Sequence, residues 1–215
     1  SHSVGEIGGS GTNLSNYTSV ISGNCAPDGS VILAAGDNKV CTITNTRKGS
    51  ITIVKDANPN HFQDFSYTTT GAGLSGFDLD DDGDNENELP NSKTFGNLLP
   101  GEYSVTEVEV SGWDLTNLNC GTQESIDLGN RKANFTLSPG ENVICTFTNT
   151  KRGHIIIDKV TDPSGDEQLF NFNTVGVGYT SFSLKDEDSP NNQEVVPGDY
   201  GVREGAVEGW DPTSV

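Results

Sequence analysis

The sequence contains no methionine, and nowhere does it run to the roughly 18 consecutive apolar residues that a membrane-spanning helix requires. No window of about a dozen residues carries apolar side chains at i, i+3 and i+4, so a helical bundle is excluded as well. Cations are scarce: 12 Lys and Arg stand against 31 Asp and Glu, for a formal charge of −19. Phosphate binding needs a cationic footprint, so nucleic acid is not a partner. Catalytic constellations are also missing. No G-x-S-x-G elbow is present, and His2, His61 and His154 are scattered. "GAGLSG" (71–76) falls between strand-like runs and reads as a loop rather than a nucleotide fingerprint. The chain reads as non-enzymatic. There is no initiator methionine and no signal-peptide pattern, and the opening "SHSVGEIGGSG" reads as a mature or processed product.

What is there suits a β protein. Glycine (26) and proline (9) punctuate short apolar runs such as "SITIVK" and "VICTFTNT". Four cysteines fall in two local pairs, Cys25/Cys41 and Cys120/Cys145. Neither pair has C-x-x-C spacing or a partner histidine, which favours disulfides over zinc and an extracellular setting over a reducing one. The acidic surface is well solvated and attracts divalent cations.

An internal repeat organises the chain. "GSITIVKD" (49–56) matches "GHIIIDKV" (153–160), "PGEYSVTEVEVSGWD" (100–114) matches "PGDYGVREGAVEGWD" (197–211), and "VCTITNTRKG" (40–49) matches "ICTFTNTKRG" (144–153). One complete unit spans 50–153. A polar segment, 1–23, precedes the tail of a unit at 24–49, and the head of a unit fills 154–215. The last phrase, "GWDPTSV", stops where "GWDLTNLNC" continues, so tail and head read as complementary pieces of one split domain.

Period-two alternation marks the strands. Ile51, Ile53 and Lys55 share one face; so do Tyr103, Val105 and Glu107, and Val143, Cys145, Phe147 and Asn149. The partial units repeat the pattern with Ile155, Ile157 and Lys159, with Tyr200, Val202 and Glu204, and with Cys41, Ile43 and Asn45. About seven short strands per hundred residues suggest an antiparallel sandwich. A buried charge is costly unless paired, so the recurring inward Lys, Glu and Asn are expected to meet. Trp113 and Trp210 hold equivalent positions and read as core packing at a strand end.

The set "ITIVKD", "LPGEYSVTEVEVSGW" and "CTFTNT" resembles the prealbumin-like repeats of bacterial surface proteins, the Cna-B or SpaA-type pilin domains. The resemblance covers most of 25–215 and implies tandem β-sandwiches stacked as stalks or fibrils. It also implies a self-catalysed isopeptide bond in which a strand lysine attacks an asparagine side chain beside a buried acid. By that resemblance Lys55, Asn149 and Glu107 form one set, and Lys159 and Glu204 of one chain meet Asn45 of another. A hydrogen-bonded polar network without a covalent bond is the alternative.

Asp78, Asp80, Asp82 and Asp84, before and after a glycine turn in "FDLDDDGDNENELP" (77–90), open like a calcium loop but lack its closing glutamate and flanking helices. Asn13, Asn16 and Asn134 carry the N-x-S/T pattern for N-linked glycans. No cofactor is required; Ca²⁺ and glycans are the candidates. The expected protein is an extracellular, cell-surface fibre subunit: a head-to-tail homopolymer in which donated strands complete the neighbour's split domain. The alternative is a calcium-binding adhesin or surface-stalk module within a longer tandem-repeat protein.

Overall fold

A computed structural model describes residues 1–83, 89–121 and 125–212. Among the described residues every regular element is a strand apart from one 3-10 turn, Leu14–Asn16. The strands in chain order are β1 (His2–Ser3), β2 (Tyr17–Gly23), β3 (Ser30–Val31), β4 (Cys41–Arg47), β5 (Gly49–Asn58), β6 (His61–Thr70), β7 (Phe77–Asp81), β8 (Ser92–Leu98), β9 (Gly101–Glu107), β10 (Trp113–Asn119), β11 (Ser125–Asp127), β12 (Lys132–Leu137), β13 (Asn142–Lys151), β14 (Gly153–Ile157), β15 (Phe170–Val175), β16 (Phe182–Leu184), β17 (Asn191–Val195) and β18 (Gly201–Glu204). Among the described residues no helix is long and apolar enough to cross a membrane. The chain forms two compact units. One comprises Ser1–Asp56, Asn60–Val108 and Asn117–Thr148, and the other holds the remaining described residues.

The complete repeat is built from two sheets, ordered β10-β13-β5-β8 and β11-β12-β9-β6-β7. Alternation along β5 and β13 turns Ile51, Ile53, Val143, Cys145 and Phe147 into the core, all at most 4% exposed. Phe65, Leu79, Val105 and Phe135 close it from the other sheet. Each such side chain, fully removed from water, contributes about 1.5–3 kcal/mol. Strand β13 runs parallel to β5. Ser50 Oγ donates to Asn142 Oδ1 at 2.7 Å, Lys55 Nζ to the Phe147 carbonyl at 3.1 Å and Thr148 Oγ1 to Asp56 Oδ2 at 3.0 Å, with the same sequence separation of 92 each time.

The partial repeats keep fragments of this plan. In the tail, β2 pairs with β4 antiparallel and β1 pairs with β3, so residues 1–23 join the folded tail although their polar composition sets them apart from the repeat. In the head, β14 pairs with β17, and β15 lies between β16 and β18. Its small core is Phe170, Phe172 and Leu184, with Ile157, Phe182, Val207 and Trp210 packed against it. Trp210 meets Phe170 edge-on at 5.5 Å.

One device recurs intact in complete repeat and head. Gly71 (φ 114°) and Gly176 (φ 133°) occupy backbone conformations that favour glycine, and a Cβ at either would overlap a tyrosine ring, Tyr103 or Tyr200. The Tyr103 hydroxyl donates to the Leu99 carbonyl at 2.6 Å and the Tyr200 hydroxyl to the Val196 carbonyl at 2.5 Å. Two disulfides are present, Cys25–Cys41 and Cys120–Cys145, with Cα separations of 5.2 and 4.0 Å. Closing loops of 16 and 25 residues, each contributes about 3 kcal/mol in the chain-entropy account.

Candidate functional site

Lys55 comes from the middle of β5 and points inward because it shares the parity of Ile51 and Ile53. It is 1% exposed, and Glu107, at the end of β9, is 2% exposed. The two are brought together, with Lys55 Nζ 3.8 Å from Glu107 Oε1. The lysine also donates to the carbonyls of Asp56 (3.0 Å) and Phe147 (3.1 Å), and sits over the Phe65 ring at 4.1 Å. Desolvation lowers the Lys55 pKa to about 8, against the opposing pull of the Glu107 and Asp56 carboxylates. About one lysine in ten is then a neutral amine at pH 7.

Tyr67 completes this wall. It faces Glu107 across the β6–β9 pair and donates its hydroxyl to Glu107 Oε1 at 3.2 Å. Burial, then the neighbouring Glu107 charge, pushes the Tyr67 pKa well above its ordinary value, so it stays a donor. Its ring stacks on Phe77 at 4.7 Å and meets Phe147 edge-on at 5.2 Å. Asn149 lies two residues beyond Phe147 on the same face of β13 and is 1% exposed.

In the head, Lys159 and Glu204 meet more closely, at 3.3 Å, but with side chains 15% and 33% exposed. Lys159 sits over the Phe170 ring at 4.0 Å, as Lys55 does over Phe65. The register also repeats: Phe172 faces Glu204 as Tyr67 faces Glu107, so the head lacks the hydroxyl donor. In the tail, Asn45 is exposed and donates its Nδ2 to Glu6 Oε2 at 2.7 Å. Sequence reasoning did not single out Glu6 or Tyr67. For Glu6 the signal was present, because "SVGE" (3–6) shares its Ser-Val-x-Glu pattern with "SVTE" (104–107).

Asp78 is exposed on β7, Asp80 is buried at 1%, Asp82 is half-buried, and Asp84 lies outside the described residues. Among the described residues no three His, Cys, Asp or Glu side chains are grouped so as to hold a metal ion. Asn13 is exposed and caps the 3-10 turn by accepting from Ser15 N at 3.0 Å. Asn16 ends that turn, exposed. Asn134 is half-buried in β12 and donates to the Ser125 carbonyl at 3.3 Å.

Residues 51–151 match a family described as a prealbumin-like fold domain. Among solved structures, the chain is similar to a bacterial adhesin from Mobiluncus mulieris containing intramolecular disulfide, isopeptide and ester bond cross-links, at 14% identity and a TM-score of 0.41, over 55% of this chain and 46% of that one. The Bacillus anthracis TIE protein shares 17% identity at a TM-score of 0.38, over 78% and 32% of the two chains. A streptococcal ancillary pilin shares 17% identity at a TM-score of 0.34, over 81% and 59%. The chain thus spans less than two thirds of each of these structures. No curated protein matches it. The complete repeat, residues 51–151, belongs to the prealbumin-like fold domain family.

Proposed function

We propose that the chain is a structural segment of a bacterial cell-surface fibre or stalk, built from tandem prealbumin-like repeats and locked by a side-chain cross-link within the complete repeat. The carrying observation is the wholly buried Lys55–Glu107 pair on β5 and β9, with Asn149 inward on β13, the parallel neighbour of β5. In the reaction, the neutral Lys55 amine attacks Asn149 Cγ. The new Nζ–Cγ amide forms, the Cγ–Nδ2 bond breaks, and ammonia leaves with the proton taken from Nζ. Glu107 relays that proton. Intact-mass measurement is expected to find the chain lighter by one ammonia, about 17 Da, beyond the loss from its two disulfides, with a branched peptide joining Lys55 to Asn149. Full mass and unbranched peptides would refute the cross-link.

The joints between subunits follow from the partial repeats. The pairs β2-β4 and β14-β17 correspond to the two halves of the sheet β10-β13-β5-β8, cut between β13 and β5. At the cut the inward apolar side chains are left only half-buried, Ile43 on β4 and Ile155 and Ile157 on β14. A second copy that lays its β4 beside β14 restores the four-strand order, covers those side chains, and brings Asn45 to Lys159 and Glu204. Donor and acceptor differ, so the contact propagates as a filament. The two disulfides fit an oxidising, extracellular setting.

A further inference from the structure

The N-terminal strand β1 is a third copy of β9. Matching the repeats sets Ser30 and Val31 of β3 on Asn134 and Phe135 of β12. On β3 these residues pair with Ser3 and His2; on β12 they pair with Ser104 and Tyr103. Continued in that register, Val4 falls on Val105 and Glu6 on Glu107. "HSVGE" (2–6) therefore overlies "YSVTE" (103–107) and, in the head, "YGVRE" (200–204). The contacts agree with the alignment: Val4 N donates to the Gly29 carbonyl at 2.9 Å, and Glu6 holds the Asn45 amide at 2.7 Å.

We propose that residues 2–6 are a self-supplied substitute for β18, holding the edge of β3 and the side chain of Asn45 until β18 of a second copy displaces them. The proposal rests on the head-to-tail joint described above. In that joint β3 must give β18 the edge that β12 gives β9, and β18 lies at the edge of its sheet, ready to take it. Strand β1 already occupies that edge, in the matching register. Its grip is weaker than the one it imitates. It contributes two register pairs where β9 contributes six, a glycine where β9 has Thr106, and an exposed carboxylate–amide contact in place of a buried site. A short, solvent-exposed surrogate of this kind satisfies the donor hairpin in the monomer and yields to a longer strand.

The test follows filament elongation of the full chain by light scattering, with negative-stain imaging at the end point. Four proteins are compared: wild type, Glu6→Ala, Glu6→Gln, and a deletion of residues 1–8. Peptide mapping of the Cys25–Cys41 bond confirms that the tail has folded in each. Glu6→Ala is expected to elongate about 2- to 10-fold faster, the range that one net hydrogen bond represents. The deletion is expected to exceed that, and Glu6→Gln, which keeps an acceptor for Asn45, to stay near wild type. Equal or slower elongation of both Glu6→Ala and the deletion overturns the proposal while leaving the joint intact. If all four proteins stay monomeric, the joint itself is refuted, and the surrogate falls with it.

Discussion

Strands β4 and β13 carry nearly the same words, "CTITNT" (41–46) and "CTFTNT" (145–150), in very different surroundings. On β13, Cys145, Phe147 and Asn149 are at most 1% exposed. On β4, Cys41 and Ile43 are half-buried and Asn45 is exposed. The strand sequence sets which side chains share a face. What covers that face is set by partners far away in the chain. β13 has β5 beside it and β9 opposite; β4 has β2 on one side, with Glu6, three residues past β1, accepting from Asn45. The same holds for the lysines. Lys159 pairs with its glutamate at 3.3 Å in partial solvent, and Lys55 pairs at 3.8 Å in none. Truncating one partner is expected to cost less at the shorter pair, because water screens it and solvates the charge left behind.

Removing the acid from each site sharpens this contrast most. In an Asn149→Ala background, where Lys55 stays an amine, Glu107→Ala leaves it buried without its carboxylate and is expected to cost about 3–5 kcal/mol in the complete repeat. Glu204→Ala is expected to cost no more than about 1 kcal/mol in the head. Hydrogen exchange at β5 and β14 amides reads the two units separately. Similar costs would mean that burial does not separate the sites. With Asn149 in place, Glu107→Ala should also abolish the ammonia loss, and Glu204→Ala should not.

The second effect is pH dependence, visible in an Asn149→Ala chain where Lys55 stays titratable. Its folded pKa, about 8, lies below the unfolded value near 10.4. Between these the unfolded state binds more protons, so stability rises with pH across the window from about 8 to 10.4. The rise is on the order of 3 kcal/mol, the burial penalty of the charge being relieved as the proton leaves. Urea unfolding at pH 7.5 and pH 10 checks it. A fall or a flat response in the β5 region would show that Lys55 is not held in a desolvating site.

The architecture was largely legible because strand faces follow a period of two. Ile51, Ile53 and Lys55 announce a buried lysine as plainly as a buried core, and the 104-residue recurrence of Gly49 at Gly153 announces the unit length. What alternation does not carry is the contact between strands. Phe65 under Lys55 depends on how the two sheets pack, and Tyr67 on Glu107 depends on how β6 pairs with β9, neither of which a single strand encodes. The N-terminal strand hid for another reason. His2 stands in the tyrosine position, and Gly5, Gly8 and Gly9 dilute the apolar pattern until only Ser3, Val4 and Glu6 remain of the match. Its identity lies in its register against β3, a property of the fold.

The smallest expected effect tests a difference between the two lysine sites that is chemical rather than environmental. Tyr67→Phe gives the complete repeat the ring that Phe172 already supplies in the head, removing only a hydroxyl. The phenol donates to the same Glu107 oxygen that lies nearest Lys55 Nζ. Losing a donor to a buried carboxylate should cost about 2 kcal/mol. Phe172→Tyr in the head should gain under about 1 kcal/mol, because water already solvates Glu204. If the hydroxyl also holds Glu107 in place for proton relay, Tyr67→Phe slows the ammonia loss after refolding without abolishing it, since Lys55, Asn149 and the acid all remain. A Tyr67→Phe chain that cross-links at the wild-type rate would confine the tyrosine to stability. One that never cross-links would make it indispensable to the relay.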